Sequence, residues 1–229
     1  MDAVFSNFDE VLKAFGLTLG LFVVSGIGSL IWGTVLAVFR VGPVSVLNKV
    51  AACYVTLFRN TPLLMIFIFM AIAMPRLGYT FNFIEDVSIG GWQVSGFFFR
   101  SCLALTLYTS AFVCEAIRSG VNAVDLGQAE ASRAIGLTFN QSMRLVVLPQ
   151  ALRAVVPPLT SVQVALAKNT SVAAAFGIAE ATATMRGLVN QNGDQLYGIF
   201  IAFAIGYIII VEAISFSSYA IERRLKVAR

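Results

Sequence analysis

Asp125-Leu-Gly-Gln-Ala-Glu-Ala-Ser-Arg-Ala-Ile-Gly-Leu-Thr-Phe-Asn-Gln-Ser-Met-Arg-Leu-Val-Val-Leu-Pro149 is the one long polar stretch of the chain that is patterned rather than loose, and strongly apolar regions lie on both sides of it. Its spacing predicts two short helices. Asp125 and Gln128 stand as a helix N-cap and its capping-box partner, and Thr138 and Gln141 repeat that spacing. Gly136 falls where the first helix needs a left-handed stop. Pro149 has no amide hydrogen with which to continue the second helix, so it is expected to end or bend it. The stretch reads as a helix–turn–helix held outside a membrane.

That membrane follows from composition. Of 229 residues, 58% are apolar and 12% charged, with a mean hydropathy of +0.83. A soluble domain carries about a quarter charged residues. This chain has too few charges to cover a water-exposed surface and is read as an all-α integral membrane protein forming a single transmembrane domain over residues 1–229. The net charge of +4 is no evidence for nucleic-acid binding. Histidine is absent, which disfavours His-based metal sites and acid–base chemistry. Cys53, Cys102 and Cys114 are odd in number, lack metal-ligand spacing and are expected to be buried thiols.

Working outward, about five spans are expected, at residues 14–39, 55–75, 97–117, 154–179 and 196–221, since a bilayer core needs about 20 apolar residues. The first follows acidic Asp9 and Glu10 and is too long for a signal-peptide core, so it is taken as uncleaved. Its small residues Gly16, Gly20, Ser25, Ser29 and Gly33 suit close packing within the chain. The second uses residues before Pro62, because Leu63–Pro75 alone is short. Residues 76–96, with Glu85, Asp86 and Gly90-Gly91, and residues 180–195 are expected as loops. Arg100 and Glu115 lie near the ends of the third span, where charges can snorkel. No internal repeat supports an inverted-repeat transporter.

Five spans put the termini on opposite sides. With the N-terminus outside, Arg40, Lys49, Arg59, Arg118, Arg133, Arg144, Arg153, Arg223, Arg224, Lys226 and Arg229 fall in the cytoplasm. Only Lys13, Arg76, Arg100 and Arg186 fall outside. Basic residues favour the cytoplasmic side, so the segment 119–153 is expected there.

Glu130-Ala131-Ser132, Gly136 and Val146-x-Leu148-Pro149 resemble the Glu-Ala-Ala…Gly…Ile-x-Leu-Pro motif of permease subunits of bacterial ATP-binding-cassette importers. Ser132 stands for the second Ala and Val146 for Ile, both close in size. Phe58-Arg59-Asn60-Thr61-Pro62-Leu63-Leu64 is similar to the Phe-Arg-Gly-Thr-Pro-Leu-Leu entry of the polar-amino-acid subfamily. Glu115-x-x-Arg118-x-Gly120, Gly127-Gln128-x-Glu130-Ala131, Leu148-Pro149-Gln150-Ala151, Pro157-Pro158-Leu159 and Lys168-Asn169-Thr170-Ser171 fit it as well. Family members usually have Asp where this chain has Asn169. The blocks run in order from the second span to the fourth.

The resemblance implies a type I importer (MetI-like) helix bundle in a bacterial cell membrane. It implies a substrate such as glutamate, glutamine, histidine or arginine, with glutamate or another acidic amino acid favoured. The partners it implies are an extracellular or periplasmic binding protein, a second permease subunit, identical or different, and two ATP-binding subunits. No cofactor is implied in this chain; ATP and Mg belong to the ATPase. In keeping with that, no phosphate-cradling Gly-rich loop ending in Lys-Ser/Thr occurs here.

Ala129, Glu130, Ala131, Ser132, Arg133, Gly136 and Pro149 are the candidate ATPase-coupling residues. Ala129, Ala131, Ala134 and Ile135 are apolar anchors at helical spacing for a partner's groove, with Glu130 and Arg133 as rim charges. A plain amphipathic helix lying on the lipid surface is the alternative. Lys168, Asn169, Thr170, Ser171, Arg59 and Thr61 are the candidate pathway residues, because an ionisable group within a span faces a cavity, a partner or the interface. Lys168 has a structural alternative as an ion pair with Glu180 or Glu212. Arg59 and Thr61-Pro62 have one as anchors of the second span, and Glu115 and Arg118, one turn apart, are placed to pair. Glu180 and Arg186 are expected in an outer loop, where they could meet a binding protein, although a simple solvated loop is the commoner explanation. An ion-gradient-driven transporter or channel relaying through Lys168, Glu212 or Glu115 is the second functional class. An intramembrane enzyme is disfavoured by the absence of histidine and of a nucleophile–base pair.

Overall fold

A computed structural model describes residues 2–80, 87–89 and 92–225. Glu85, Asp86, Gly90-Gly91, Lys226 and Arg229 lie outside the described residues. A short helix α1 (Asp2–Ser6) leads into α2 (Phe8–Val41), which takes in the polar residues before Lys13 as well as the apolar run. Val11 and Ala14 are buried, so this start of the helix is part of the packed body rather than a surface segment.

The expected second span is broken. α3 (Ser45–Asn60) and α4 (Leu63–Arg76) meet at a bend of 102°. Pro62 pushes the preceding residue out of the α region, and Thr61 is extended at φ −97°, ψ 128°. Residues before Pro62 therefore do not lengthen the span beyond it. α3 is a separate helix with an apolar edge, Ala51 and Val55, buried against α2. Where a loop was expected, β1 (Val87–Ile89) and β2 (Trp92–Val94) pair antiparallel, with Ser88 opposite Gln93.

α5 (Gly96–Asn122) is the most buried long helix, and α2, α3 and α4 all pack on it. Its approach to α2 is set by small residues: a Cβ on Gly33 would lie 2.6 Å from the Val113 side chain and 2.8 Å from the Ser110 carbonyl oxygen. On its other side a Cβ on Gly120 would overlap the Val155 side chain and come within 3.0 Å of its backbone nitrogen. Ser25 and Ser29, fully buried on α2, belong to the same close contact. The expectation of packing within the chain holds. Leu21, Phe67, Leu105 and Leu166 form the centre of the core, the first three from α2, α4 and α5 and the last from the long helix that follows in the chain. Cys102 and Cys114 are buried as expected, but Cys53 is exposed, because α3 buries only its Ala51–Val55 edge.

α6 (Leu126–Ala134) precedes one helical run, α7 (Phe139–Phe176). Pro149 does not end α7. A wide π turn, Met143–Val147, comes just before it. Pro149 then sits in the first turn of the α-helical part, where its missing donor costs little. α7 narrows to a 3-10 turn, Thr170–Phe176, and stops at Gly177, whose φ of +84° is left-handed. Residues 180–195 are largely helical rather than a loop: α8 (Ala181–Gln191) leads to α9 (Leu196–Leu225). Among the described residues four helices are long and apolar enough to cross a membrane, five if α3 and α4 count as one broken span.

Candidate functional site

The polar stretch that separates α5 from α7 folds as a rigid hairpin of two helices. Asp125 caps α6 by accepting from Gly127 N at 2.8 Å, in place of the expected capping box with Gln128. Thr138 forms the full capping box with Gln141 at the start of α7. Between them Gly136 has φ +93° with open space around a notional Cβ, so backbone conformation rather than crowding calls for glycine. Ser132 is buried; its hydroxyl donates to Ser142 Oγ at 2.7 Å and so ties α6 to α7. Of the candidate coupling residues, Ser132 thus turns inward, and Ala129 and Pro149 are half-buried. Glu130, Ala131, Arg133 and Gly136 are exposed. Around them Leu126 (78%), Ile135 (80%) and Phe139 (65%) are exposed large apolar side chains. Ile135 was among the anchors read from sequence. Leu126 and Phe139 were not, although both flank the caps.

About two helical turns before its C-terminal end, α5 carries an ion cluster. Glu115 receives Arg118 on the same helix, whose terminal nitrogen donates to Oε2 at 2.8 Å. The i,i+3 pair read from sequence is present. Arg40 from the end of α2 donates to Oε1 at 3.2 Å, and Arg59 from the end of α3 comes within 3.7 Å of Oε2. Those two partners come from separate elements and left no local signal in the chain.

Three of the candidate pathway residues line two separate cavities, because successive residues of a helix point about 100° apart, and Arg59, Thr61 and Thr170 line neither. Lys168 and Ser171 line a cavity of about 470 Å³ with Thr182, Tyr207, Val211 and Glu212. Asn169 lines another, of about 380 Å³, with Tyr108, Thr109, Phe112 and Ser161. Thr170 is fully buried and its hydroxyl donates to Ala167 O at 2.7 Å. Thr61 caps the end of α3 by donating to Leu57 O at 2.8 Å. Among the described residues Lys168 forms no ion pair with Glu180 or Glu212.

Glu180 is not in an open outer loop. It is completely buried. Its carboxylate accepts from Ala183 N at 3.0 Å, capping α8, and from Tyr207 Oη of α9 at 3.0 Å. Thr18 of α2 lies 3.4 Å away and itself accepts from Ala181 N at 3.1 Å. The residue knits three helices together, a role that needed the buried Thr18 and Tyr207 to be seen.

A bundle of long apolar helices joined by a polar helical hairpin, with clefts that carry a few polar side chains among apolar ones, is the architecture of a multi-span membrane protein. The chain belongs to the family described as binding-protein-dependent transport system inner membrane component, which it matches over residues 7–227. It is 36% identical to the glutamate transport system permease protein GluC of Corynebacterium glutamicum, over 96% of each chain. It is 33% identical to the probable glutamine ABC transporter permease protein GlnM of Bacillus subtilis, over 97% of this chain and 96% of that one. The fold superposes on a solved amino acid ABC transporter with histidines at a TM-score of 0.81 and 24% identity, covering 96% of each chain. It also superposes on an inward-facing MetNI methionine transporter at 0.69 and 23% identity, over 95% of this chain and 96% of that one.

Membership makes the chain a multi-pass inner-membrane permease subunit of an importer that works with a binding protein and a separate ATPase. It sets aside the gradient-driven and enzymatic alternatives.

Proposed function

We propose that this chain, paired with a second permease subunit, forms the translocation pathway for a polar amino acid, glutamate or another acidic one, and that residues 125–149 couple it to two ATPase subunits. The observation that carries the coupling claim is the exposed apolar rim of Leu126, Ile135 and Phe139 around Glu130, Ala131 and Arg133, on a hairpin stiffened by the Ser132–Ser142 bond. A short helix of this kind seats in a partner's groove through such anchors. Because α7 runs on from the hairpin without a break, displacement of the hairpin by the ATPases would be passed directly to a membrane helix.

Acidic substrate is favoured by the named function of the GluC relative, and Lys168, Asn169, Ser171 and Arg59 are the proposed polar lining of the route. The two cavities have the volume of small-molecule sites. The N-terminus is proposed outside and the C-terminus in the cytoplasm, following the bias of basic residues. ATP and Mg act in the partner subunits.

Gly136→Val and Glu130→Lys test the coupling. Each should abolish ATP-dependent uptake and weaken copurification of the ATPase while the helices still insert. Full uptake by both variants would refute it.

A further inference from the structure

A further cavity, of about 660 Å³, lies between α2, α7 and α9, apart from the two cavities of the proposed route. Its wall is almost wholly apolar. Leu19 and Leu30 mark its ends on α2, Ile209 and Ile221 on α9, and Val156 and Gln163 on α7. Its hydroxyls are already engaged: Thr160 and Ser218 bond to each other, and Ser217 donates to Ala213 O at 2.7 Å. Gln163 Nε2 has no partner among the described residues, but it is buried and does not open onto the space. From Ile209 to Ile221 α9 rises about 18 Å at 1.5 Å per residue, close to the ~15 Å of hydrocarbon in one leaflet. Spread over that length, 660 Å³ gives a cross-section of about 35–40 Å², under half that of a helix 10–12 Å across. The slot is too thin for a helix of another subunit and has the length of a lipid chain.

One end of the slot is basic. Lys168 lies across from Val211 and Thr160 from Ser218, so α7 and α9 run antiparallel. Arg153 stands three residues before Val156, and Arg224 three residues after Ile221. Residues three apart share a helix face, so both arginines continue the lining faces at the same end. Both are exposed, and among the described residues neither enters an ion pair. Glu222, beside them in the chain, lines the neighbouring cavity with Pro157 and Ser161 instead. This end lies on the side proposed as cytoplasmic.

We propose that this slot seats one acyl chain of an anionic phospholipid from the cytoplasmic leaflet, and that Arg153 and Arg224 hold its phosphate. The apolar wall accepts the chain without leaving a polar group unpaired. The guanidinium forks at the mouth suit phosphate oxygens and give up no existing ion pair to reach them. A zwitterionic headgroup brings its own cation to two arginines and loses most of that attraction, whereas an anionic one keeps it. The site joins the first span to the two helices that line the Lys168 cavity, so the lipid is a structural ligand of the bundle. It stands independently of which amino acid is carried.

The test is native mass spectrometry of the delipidated permease–ATPase complex, titrated with phosphatidylglycerol or phosphatidylcholine of equal chain length. The wild type should hold phosphatidylglycerol about tenfold more tightly, the size of effect that two basic residues give beside an anionic surface. The Arg153→Gln/Arg224→Gln double variant should bind both lipids alike, at the strength of phosphatidylcholine. Ala213→Trp, which fills the slot, should lose one bound lipid of either kind while the ATPase stays attached. If Ala213→Trp does not assemble, the double variant, changed only at exposed positions, decides. Equal affinities in the wild type, or an undiminished preference in the double variant, would overturn the proposal. So would an unchanged lipid count in an assembled Ala213→Trp complex. Displacement of phosphatidylglycerol by inorganic phosphate would make the arginines a free-anion site and overturn it. A photo-crosslinker at Ile214 that captures a second permease chain rather than lipid would overturn it as well.

Discussion

Gly33 shows how little tolerance the helix contacts have. The overlap of a Cβ there with Val113 and with the Ser110 carbonyl oxygen leaves no flexible side-chain end to move aside. Gly33→Val should destabilise the protein by about 1–3 kcal/mol, the usual cost of overpacking a core, measured as a lowered unfolding temperature in detergent. Glu180 shows the reverse of a sequence expectation. An acidic residue between two apolar spans reads as solvent-facing, since charged side chains are rarely buried alone. It is buried here because Ala183 N, Tyr207 Oη and the Thr18 hydroxyl surround it. Two of those three groups lie more than twenty residues away in the chain, beyond the reach of local spacing.

At the scale of elements, caps were legible and continuity was not. The Thr138–Gln141 box and the left-handed Gly136 are local devices, set by side chains within one turn, and both are present. Pro149 and Pro62 carry the same chemistry and had opposite outcomes. Pro149 follows a π turn and the helix passes through it, whereas Pro62 follows an extended Thr61 and the chain turns by 102°. Pro62→Ala should reduce that bend by allowing Thr61 a helical conformation. Spin-label distances between α3 and α4 that stay at the wild-type value would show that packing of Phe67 and Met70, rather than the proline, holds the angle.

At the scale of the whole molecule, the charge bias predicts which end faces the cytoplasm. A cysteine placed at Ser6 should react with an impermeant thiol reagent from outside intact cells. One at Gln141 should react only after the membrane is opened. The reverse pattern would invert the assignment of the hairpin to the ATPase side. α9 is the least buried of the long helices. Its exposed Ile201, Ile205, Ile208 and Ile209 present an apolar face, as expected of a helix that meets lipid.

Membrane class, the approximate number of long helices and the hairpin between the third and fourth spans were determined by the sequence alone. They depend on hydropathy summed over about 20 residues and on caps that act within a single turn. The burial of Glu180 and the gathering of Arg40 and Arg59 on the Glu115–Arg118 pair were decided only by tertiary structure. Each joins groups from helices distant in the chain, and whether a charge is paired depends on which neighbours the packing supplies.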